Sequence, residues 1–359
     1  MRKLSICLLL PVLGLAAALG FSGCGGQSAG EKRIIILTNG YSPFWDAAKV
    51  GLNEAAVDFK LQDAGLKASL EPNDNTPEGQ VTKLRQYASQ SDIVAIGISA
   101  CDAGNDSVAD EMRKLRDKGV QIITVDSDID RDRLRDTRIA FIGTDNLAGG
   151  RELGKCAKYI RPQGGELITF VGRTGAQNAI DRIRGVVEGA GDKFKAWPTM
   201  GDDGLEDRAR KNVRDAIANY PKLDTLVGIW SYNAPAIADV VKEKDRRKDF
   251  TVIVFDAEPL AIQQMADGMI DAMIVQNPYQ MGYQGVRLMK ALVEKDQKII
   301  GEMLPNRGKP EGDVIDTGLK VVVPDEGSPL NPDMFNKSTQ FLKLSEFRNW
   351  LQKYKLTGS

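Results

Sequence analysis

The fold is decided by residues 92–126, which read DIVAIGISACDAGNDSVADEMRKLRDKGVQIITVD. Two short apolar runs, Asp92–Ile98 and Gln121–Val125, flank a polar stretch, Ser107–Lys118, that is predicted to be helical. The apolar runs are continuous rather than alternating, which is typical of strands that are covered on both faces. The stretch therefore predicts a strand–helix–strand unit of a parallel α/β sheet.

The same alternation of strands and helices extends in both directions along the chain. Arg33–Thr38 is the first predicted strand, and Lys320–Val323 is the last. The rhythm restarts near Ile139, so the chain has too many βα units for one ordinary open sheet. The sequence therefore predicts an α/β protein with two doubly wound parallel-sheet lobes. A closed (β/α)₈ barrel is the structural alternative.

The composition excludes several classes of function. The chain has 359 residues, with 48 Lys and Arg against 49 Asp and Glu, so no basic excess exists to bind nucleic acid. It has no histidine, which excludes Ser-His-Asp and Cys-His nucleophiles and His-ligated zinc. For the same reason we expect ligand affinity to be nearly flat between about pH 5.5 and 8.

The N-terminal residues have the pattern of an export signal. Two basic residues precede a charge-free run, Leu4–Phe21, and small residues then precede Cys24. The pattern predicts a signal peptide over residues 1–23, with a membrane-anchor helix as the alternative. Phe21–Cys24 resembles the lipobox of bacterial lipoproteins, which implies acylation of Cys24 and a lipidated tether over residues 24–32.

Polar and aromatic residues recur just after the predicted strands. Ligands of open α/β sheets bind at the carboxyl ends of strands. Aromatic rings cover the C–H faces of sugars, while carboxylates and Arg hold adjacent hydroxyls. One such Asp alone would be read as a helix cap, but the repetition favours a ligand site. The candidate residues are Ser42, Phe44, Trp45, Asp126, Ser127, Asn146, Arg182, Tyr232, Asn233, Asp256 and Gln276.

Six short motifs occur in the order of a known family. They are Pro43-Phe44-Trp45, Val125-Asp126, Gly143–Gly150, Asp181–Gly185, Val254–Asp256 and Val275–Pro278. In these motifs the chain resembles the periplasmic sugar-binding proteins of the ribose-binding type, which share their fold with LacI-type repressor cores. The resemblance covers roughly Arg33 to Val323. It implies two lobes that are joined by a three-segment hinge and close on a sugar.

The resemblance also implies roles for individual residues. Phe44 and Trp45 would flank the sugar ring. Carboxylates would accept hydrogen bonds from its hydroxyls, and a guanidinium would donate in a fork. The polar set consists of Asp126, Asp256, Arg182 and Gln276.

Three departures from the ribose-binding pattern concern the specificity. Ser42 stands where that type has Asn, and Ser127 stands where it has Arg. Residues 231–233, Ser-Tyr-Asn, replace an Asn-Asp pair. These changes argue against ribose itself and leave a monosaccharide-like ligand as the expectation.

The predicted domain organisation follows from the resemblance and from the rhythm of the elements. A C-terminal tail that carries one helix, Ser345–Tyr354, would follow the two lobes. Cys101 and Cys156 are predicted to be separate thiols, because one lies in a loop and the other well inside a helix. The N-terminal lobe is predicted over 33–143 plus 277–304, the C-terminal lobe over 144–276 plus 305–324, and the tail over 325–359.

The sequence as a whole predicts a lipid-anchored receptor of the periplasm or cell envelope. It would bind a small-molecule sugar as a monomer and deliver it to the permease of an ABC importer. We expect no catalysis, no cofactor, no metal, no nucleic-acid partner and no membrane contact besides the lipid anchor. The alternatives are a sugar-sensing subunit without transport and a secreted glycoside-acting enzyme that uses two carboxylates. A transcription regulator with the same core is disfavoured by the export signal.

Overall fold

The computed structural model describes residues 30–309 and 311–359. The predictions of a signal peptide and of acylation at Cys24 therefore lie outside the described residues. In the described residues the strands are β1 Lys32–Leu37, β2 Leu66–Glu71, β3 Ile93–Ile98, β4 Gln121–Val125, β5 Phe141–Gly143, β6 Gly165–Val171, β7 Phe194–Ala196, β8 Met200–Gly201, β9 Thr225–Gly228, β10 Thr251–Phe255, β11 Ala272–Val275, β12 Val314–Asp316, β13 Lys320–Val323 and β14 Gln340–Lys343. The helices are α1 Phe44–Asp58, α2 Pro77–Ala88, α3 Asp106–Asp117, α4 Asn146–Ile160, α5 Gln177–Ala190, α6 Glu206–Asn219, α7 Asn233–Glu243, α8 Pro259–Ala266, α9 Pro278–Glu294, α10 Gln297–Met303 and α11 Leu344–Lys353.

The strands of the described residues form two sheets, and each sheet is the centre of one lobe. The first sheet has the order β12-β5-β4-β3-β1-β2, and its neighbouring strands are all parallel. The second has the order β14-β13-β11-β10-β9-β6-β7, with β8 beside β6. Its neighbours are parallel except for the pair β11–β13, which is antiparallel. The predicted α/β class with two parallel-sheet lobes is confirmed.

The continuous apolar runs are explained by cores on both faces of the sheets. Side chains alternate across a strand, and in β1 the two sets of side chains enter different cores. Ile34 and Ile36 pack in the cluster that contains Val286 of α9. Ile35 and Leu37 pack in the cluster that contains buried residues of α2 and α3. A strand with two buried faces does not alternate between apolar and polar residues. The continuous apolar runs in the sequence therefore indicate strands that are covered on both faces.

The chain crosses between the lobes three times. The crossings are residues 144–145 between β5 and α4, 276–277 between β11 and α9, and 317–319 between β12 and β13. Helix α4 packs against β10 and β11 of the second sheet, whereas α9 packs against β1, β3, β4 and β5 of the first. The predicted three-segment hinge is therefore confirmed.

Two short strands correct the predicted division of the C-terminal residues. Strand β12 pairs with β5 in the first sheet, so its assignment to the C-terminal lobe within 305–324 is wrong. The tail contains the predicted helix but also β14, which pairs with β13 and extends the second sheet. Both strands have three or four residues that are partly exposed, so no apolar run marks them. The other lobe boundaries stay a prediction.

Two further observations bear on the sequence analysis. Cys101 and Cys156 are buried free thiols in different lobes, as expected. Within residues 30–309 and 311–359, no helix is long and apolar enough to span a membrane.

Candidate ligand-binding site

A cavity of about 330 Å³ lies between the two lobes, at the carboxyl ends of their strands. Its volume is within the range of roughly 300–1,000 Å³ that is typical of small-molecule sites. Both lobes contribute to the wall. The lining residues of the first lobe are 39–45, Asp74, Asn75 and Asp126, and those of the second are Asn178, Arg182, 203–206, 230–232, Asp256, Glu258 and Gln276.

Most of the candidate residues from the sequence meet at this cavity. Ser127, Asn146 and Asn233 do not line it. That the lining candidates bind a ligand stays a prediction. The candidates that line the cavity are Ser42, Phe44, Trp45, Asp126, Arg182, Tyr232, Asp256 and Gln276.

The three residues outside the cavity wall have other surroundings. The Oδ1 atom of Asn146 accepts a hydrogen bond from Nε of Arg182 at 2.8 Å, so Asn146 orients that guanidinium. The Oδ1 atom of Asn233 accepts from the backbone N–H of Trp230 at 3.0 Å. Ser127 directly follows Asp126 in the chain, and it is fully buried. A position just after a strand predicts proximity to the cleft, but not the direction in which the side chain points.

Asp126 and Asp256 occupy equivalent positions in the two lobes. They follow β4 and β10 directly, and both have a backbone φ of 66°. Asp is one of the few residues with a side chain that tolerates this left-handed region, and such strain clusters at functional sites. Each carboxylate accepts one side-chain hydrogen bond from its own lobe. Asp126 accepts from the Ser99 hydroxyl at 3.0 Å, and Asp256 accepts from Gln276 Nε2 at 2.9 Å.

Arg182 lies between these two carboxylates and is 1% exposed. Its Nη1 donates to the backbone oxygen of Ile229 at 3.0 Å, and its guanidinium carbon lies 3.8 Å from the centre of the Phe255 ring. Its nitrogens approach Asp126 Oδ1 to 4.0 Å and Asp256 Oδ2 to 3.8 Å, which is beyond hydrogen-bond distance. Its Nη2 has no hydrogen-bond partner among the described residues.

Glycine allows the helix that carries Arg182 to lie close to α4. A Cβ atom at Gly150 would be 2.2 Å from the backbone oxygen of Arg182. A Cβ atom at Gly185 would be 2.5 Å from the backbone oxygen of Leu147. Gly150 and Gly185 therefore allow the close contact between α4 and α5 that positions the guanidinium of Arg182 in the cavity wall.

Burial dominates the electrostatics of the cavity. It raises the pKa of Asp126, and it raises the pKa of Asp256 to about 7, although Arg182 opposes both shifts. It also raises the pKa of Glu258 and lowers that of Arg182. The absence of histidine therefore does not make the site insensitive to pH, because Asp256 titrates in the range that a histidine would cover.

Aromatic side chains form part of the wall on each side. The rings of Phe44 and Trp45 in the first lobe are in edge-to-face contact, with 5.1 Å between their centroids. The Trp45 indole N–H donates to Asn39 Oδ1 at 3.2 Å. Trp230 of the second lobe makes the same kind of bond to Asn178 Oδ1, also at 3.2 Å. These rings are buried against protein on one side and reach the cavity on the other.

Several lining residues are absent from the sequence-based candidates. Glu258 stands in a segment that follows a predicted strand, but its position alone does not mark it as a ligand residue. Asn39 and Asn178 were not distinguished either, because an Asn near a turn is common. Each of the two amides holds the indole of a lining tryptophan, a contact that no sequence pattern specifies.

Two hydrogen bonds connect the lobes directly. Asn75 Nδ2 donates to the backbone oxygen of Asp203 at 3.0 Å, and both residues line the cavity. The backbone N–H of Ala103 donates to the backbone oxygen of Gly175 at 3.0 Å. The lobes are therefore in direct contact.

The end of the tail lies directly behind two cavity residues. Ser359 exchanges two backbone hydrogen bonds with Ala257, at 2.9 and 2.7 Å. Its hydroxyl donates to the backbone oxygen of Gln276 at 2.9 Å. Because Ala257 stands between Asp256 and Glu258, the tail fixes the loop that presents both carboxylates.

Within residues 30–309 and 311–359, no group of three or more His, Cys, Asp or Glu side chains is placed to hold a metal ion.

Comparisons with known proteins extend the likeness over most of the chain. A family profile described as the periplasmic binding protein domain matches residues 34–297. The D-allose-binding periplasmic protein of Escherichia coli is 22% identical over 81% of this chain and 92% of its own length. The ribose import binding protein of Salmonella typhimurium is 19% identical over 80% of this chain and 93% of its own length.

Solved structures show the same fold. A solute-binding protein of an ABC transporter from Burkholderia graminis, solved in complex with D-arabinose, has a TM-score of 0.71 and 24% identity, over 83% of this chain and 97% of that one. One from Agrobacterium vitis with bound D-fucose has a TM-score of 0.71 and 21% identity, over 81% of this chain and 95% of that one.

Proposed function

The chain belongs to the periplasmic binding protein family, and from this premise we propose that it is a receptor for a monosaccharide-like sugar. The sugar would bind in the cavity between the lobes and be delivered to an ABC importer. The observation that carries the proposal is the cavity itself, with Asp126, Asp256 and Arg182 among aromatic side chains from both lobes. Carboxylates, a guanidinium and aromatic faces together match the hydroxyl rims and C–H faces of a sugar.

Two unpartnered atoms support a polar ligand. Arg182 Nη2 is a buried donor, and Gln276 Oε1 is a buried acceptor, and neither has a hydrogen-bond partner among the described residues. Leaving such atoms unpaired costs about 1–3 kcal/mol each. Both residues line the cavity. A ligand with hydroxyl groups can donate to one atom and accept from the other.

The named relatives support the sugar class and the transport role. Their names describe D-allose binding and ribose import, and the solved structures hold D-arabinose and D-fucose. On the same ground we propose a periplasmic location. We also propose that the protein is a monomer and that it carries a lipid anchor at Cys24. Replacement of Cys24 by Ala should abolish labelling by a fatty-acid probe. Labelling that survives this change would contradict the anchor.

A thermal-shift screen of the purified protein over pentoses, hexoses and sugar alcohols tests the proposal. A sugar present at 100 times its Kd should stabilise the native state by about 2.7 kcal/mol. The variant Arg182→Met should lose that stabilisation. A panel in which no sugar shifts the melting temperature would contradict the receptor function, and turnover of a saccharide would favour an enzyme.

The transport role needs a separate experiment. Cells that lack the protein should lose uptake of the sugar that it binds, and Arg182→Met should not restore that uptake. Unchanged uptake in cells without the protein would contradict delivery to an importer and favour a sensory subunit.

A further inference from the structure

We infer that the ligand of this cavity carries a positive charge, and that it is an amino sugar with a protonated amine. The inference rests on the proposed sugar-receptor function and concerns the same cavity. It names the chemical class of the ligand, which neither the family nor the fold specifies.

The buried acidic groups of the cavity outnumber the buried basic ones. Asp126, Asp256 and Glu258 are each at least nine-tenths buried and line the wall. Among the described lining residues, Arg182 is the only basic one. Asp74 also lines the cavity, as do Asp203 and Glu206, which pair with Arg208 and Arg210 outside the wall.

Arg182 cannot neutralise this group of carboxylates. It approaches two of them, Asp126 and Asp256, without a hydrogen bond to either. Glu258 accepts a hydrogen bond from the Ser231 hydroxyl at 2.6 Å. Besides burial, the groups that act on the pKa of Glu258 are Ser231 and Glu206, and neither is basic. A buried carboxylate without a cationic partner is costly.

An acceptor without a partner points to the same ligand chemistry. Gln276 is 1% exposed, lines the cavity, and its Oε1 has no hydrogen-bond partner among the described residues. Its Nε2 donates to Asp256 Oδ1, so the amide orientation is fixed by that bond. An ammonium group has three donors and no acceptor, which suits a wall of Gln276 Oε1 and the carboxylates of Asp256 and Glu258.

Matched ligand pairs test the inference by calorimetry. D-glucosamine, D-galactosamine and D-mannosamine are compared with their neutral parent hexoses, which have nearly the same bulk, and with their N-acetyl derivatives, which keep the nitrogen but carry no charge. At least one amine should bind about tenfold or more tightly than both neutral counterparts, which is roughly 1.4 kcal/mol.

Two variants assign the preference to the cavity. Glu258→Gln keeps the acceptor for Ser231 and removes one buried charge, so the preference for the amine should fall at least about threefold. Glu243→Gln removes one exposed carboxylate of the same lobe, which is paired with Arg214 on the surface, and should leave the preference unchanged.

The outcomes separate this inference from the proposed function. Neutral hexoses that bind as tightly as their amines would overturn the inference and leave the sugar receptor standing. An amine preference that Glu258→Gln does not alter would overturn its assignment to these carboxylates. A panel in which neither amines nor neutral sugars bind would overturn the receptor function together with the inference.

Discussion

Two clusters of the same composition, each with two Asp and one Arg, begin two residues apart in the chain at Asp126 and Asp128 and differ in how they are paired. The paired triad consists of Asp128, Arg138 and Asp313, and all three residues belong to the first lobe. In it, Arg138 donates to Asp128 from Nε at 2.9 Å and from Nη2 at 2.7 Å, and it also donates to Asp313. The cavity triad consists of Asp126, Arg182 and Asp256, and its closest N···O distances are 4.0 and 3.8 Å.

Because of this difference in distance, the pKa values of the carboxyl groups shift in opposite directions in the two triads. In the paired triad, burial favours the neutral carboxyl, but the hydrogen bonds and charge of Arg138 outweigh it and hold the pKa of Asp128 below its usual value. Arg135 and Arg138 do the same for the pKa of Asp313. In the cavity triad, burial wins and raises the pKa of Asp126 and Asp256. The same residue types thus hold one lobe together and leave the cavity ready for a ligand.

The largest expected effect comes from breaking the paired triad. Arg138→Met should lower the free energy of unfolding by about 3 kcal/mol or more, because it removes the guanidinium that donates both to the buried Asp128 and to the partly buried Asp313. Arg182→Met should lower it clearly less, because Asp126 and Asp256 are already prone to take up protons. Urea unfolding followed by circular dichroism measures both values. Equal losses would contradict the distinction between the triads.

Ligand affinity should show the opposite order. Arg182→Met and Asp126→Asn should each weaken the binding of the sugar by about 30-fold or more, which corresponds to ~2–5 kcal/mol for a buried charged partner. Arg138→Met should leave the affinity of the folded protein within about threefold. Calorimetry below the unfolding temperature of every variant provides the comparison. Wild-type affinity in Arg182→Met would show that the site lies elsewhere.

A smaller effect is expected from the last residues of the tail, where Ser359 contacts the loop of the cavity triad. Removing residues 357–359 deletes the three hydrogen bonds that Ser359 makes with Ala257 and Gln276. At about 0.5–1.5 kcal/mol each, their loss should loosen the loop of Asp256 and weaken binding by roughly tenfold. Ser359→Ala removes only the hydroxyl and serves as the milder control. Unchanged affinity after truncation would make the tail irrelevant to the site.

The pH dependence of stability should also differ between the triads. Asp256 faces Arg182, Gln276, Asp126 and Glu258. Its folded pKa of about 7 exceeds the unfolded value of about 3.9, so the folded state binds more protons between these values. Its contribution to the free energy of unfolding therefore falls as the pH rises from about 4 to 7. The paired triad has lowered pKa values, so its contribution is present above about pH 4 and is lost on acidification.

The variant Asp256→Asn isolates this slope. Relative to the variant, the ligand-free wild type should lose stability steadily as the pH rises from about 5 to 7. Chemical unfolding at several pH values measures the difference. A difference that is constant over this range would show that Asp256 does not titrate there.

The comparison also shows what the sequence could and could not predict. The lobes followed from continuous apolar runs such as Ile93–Ile98, because a strand with two buried faces leaves that pattern. Asp126 and Asp128 stand in one strand-end segment, and nothing in the sequence indicates that one is paired and the other is not. That difference depends on Arg138, which follows Asp128 in the same lobe, and on Arg182, which comes from the other lobe. Asn146 is predicted to line the cavity, but it instead orients Arg182 by accepting a hydrogen bond from Nε. The position of a residue in the sequence does not specify the direction of its side chain.

The most direct test of the account is a crystal structure of the protein with the sugar that stabilises it best. The account predicts ligand oxygen or nitrogen atoms within about 3 Å of Arg182 Nη2 and Gln276 Oε1, with the ring between the aromatic walls at Trp45 and Trp230. A ligand bound outside this cavity, or one that leaves both atoms unpaired, would contradict the claim that the cavity triad is held apart for a ligand.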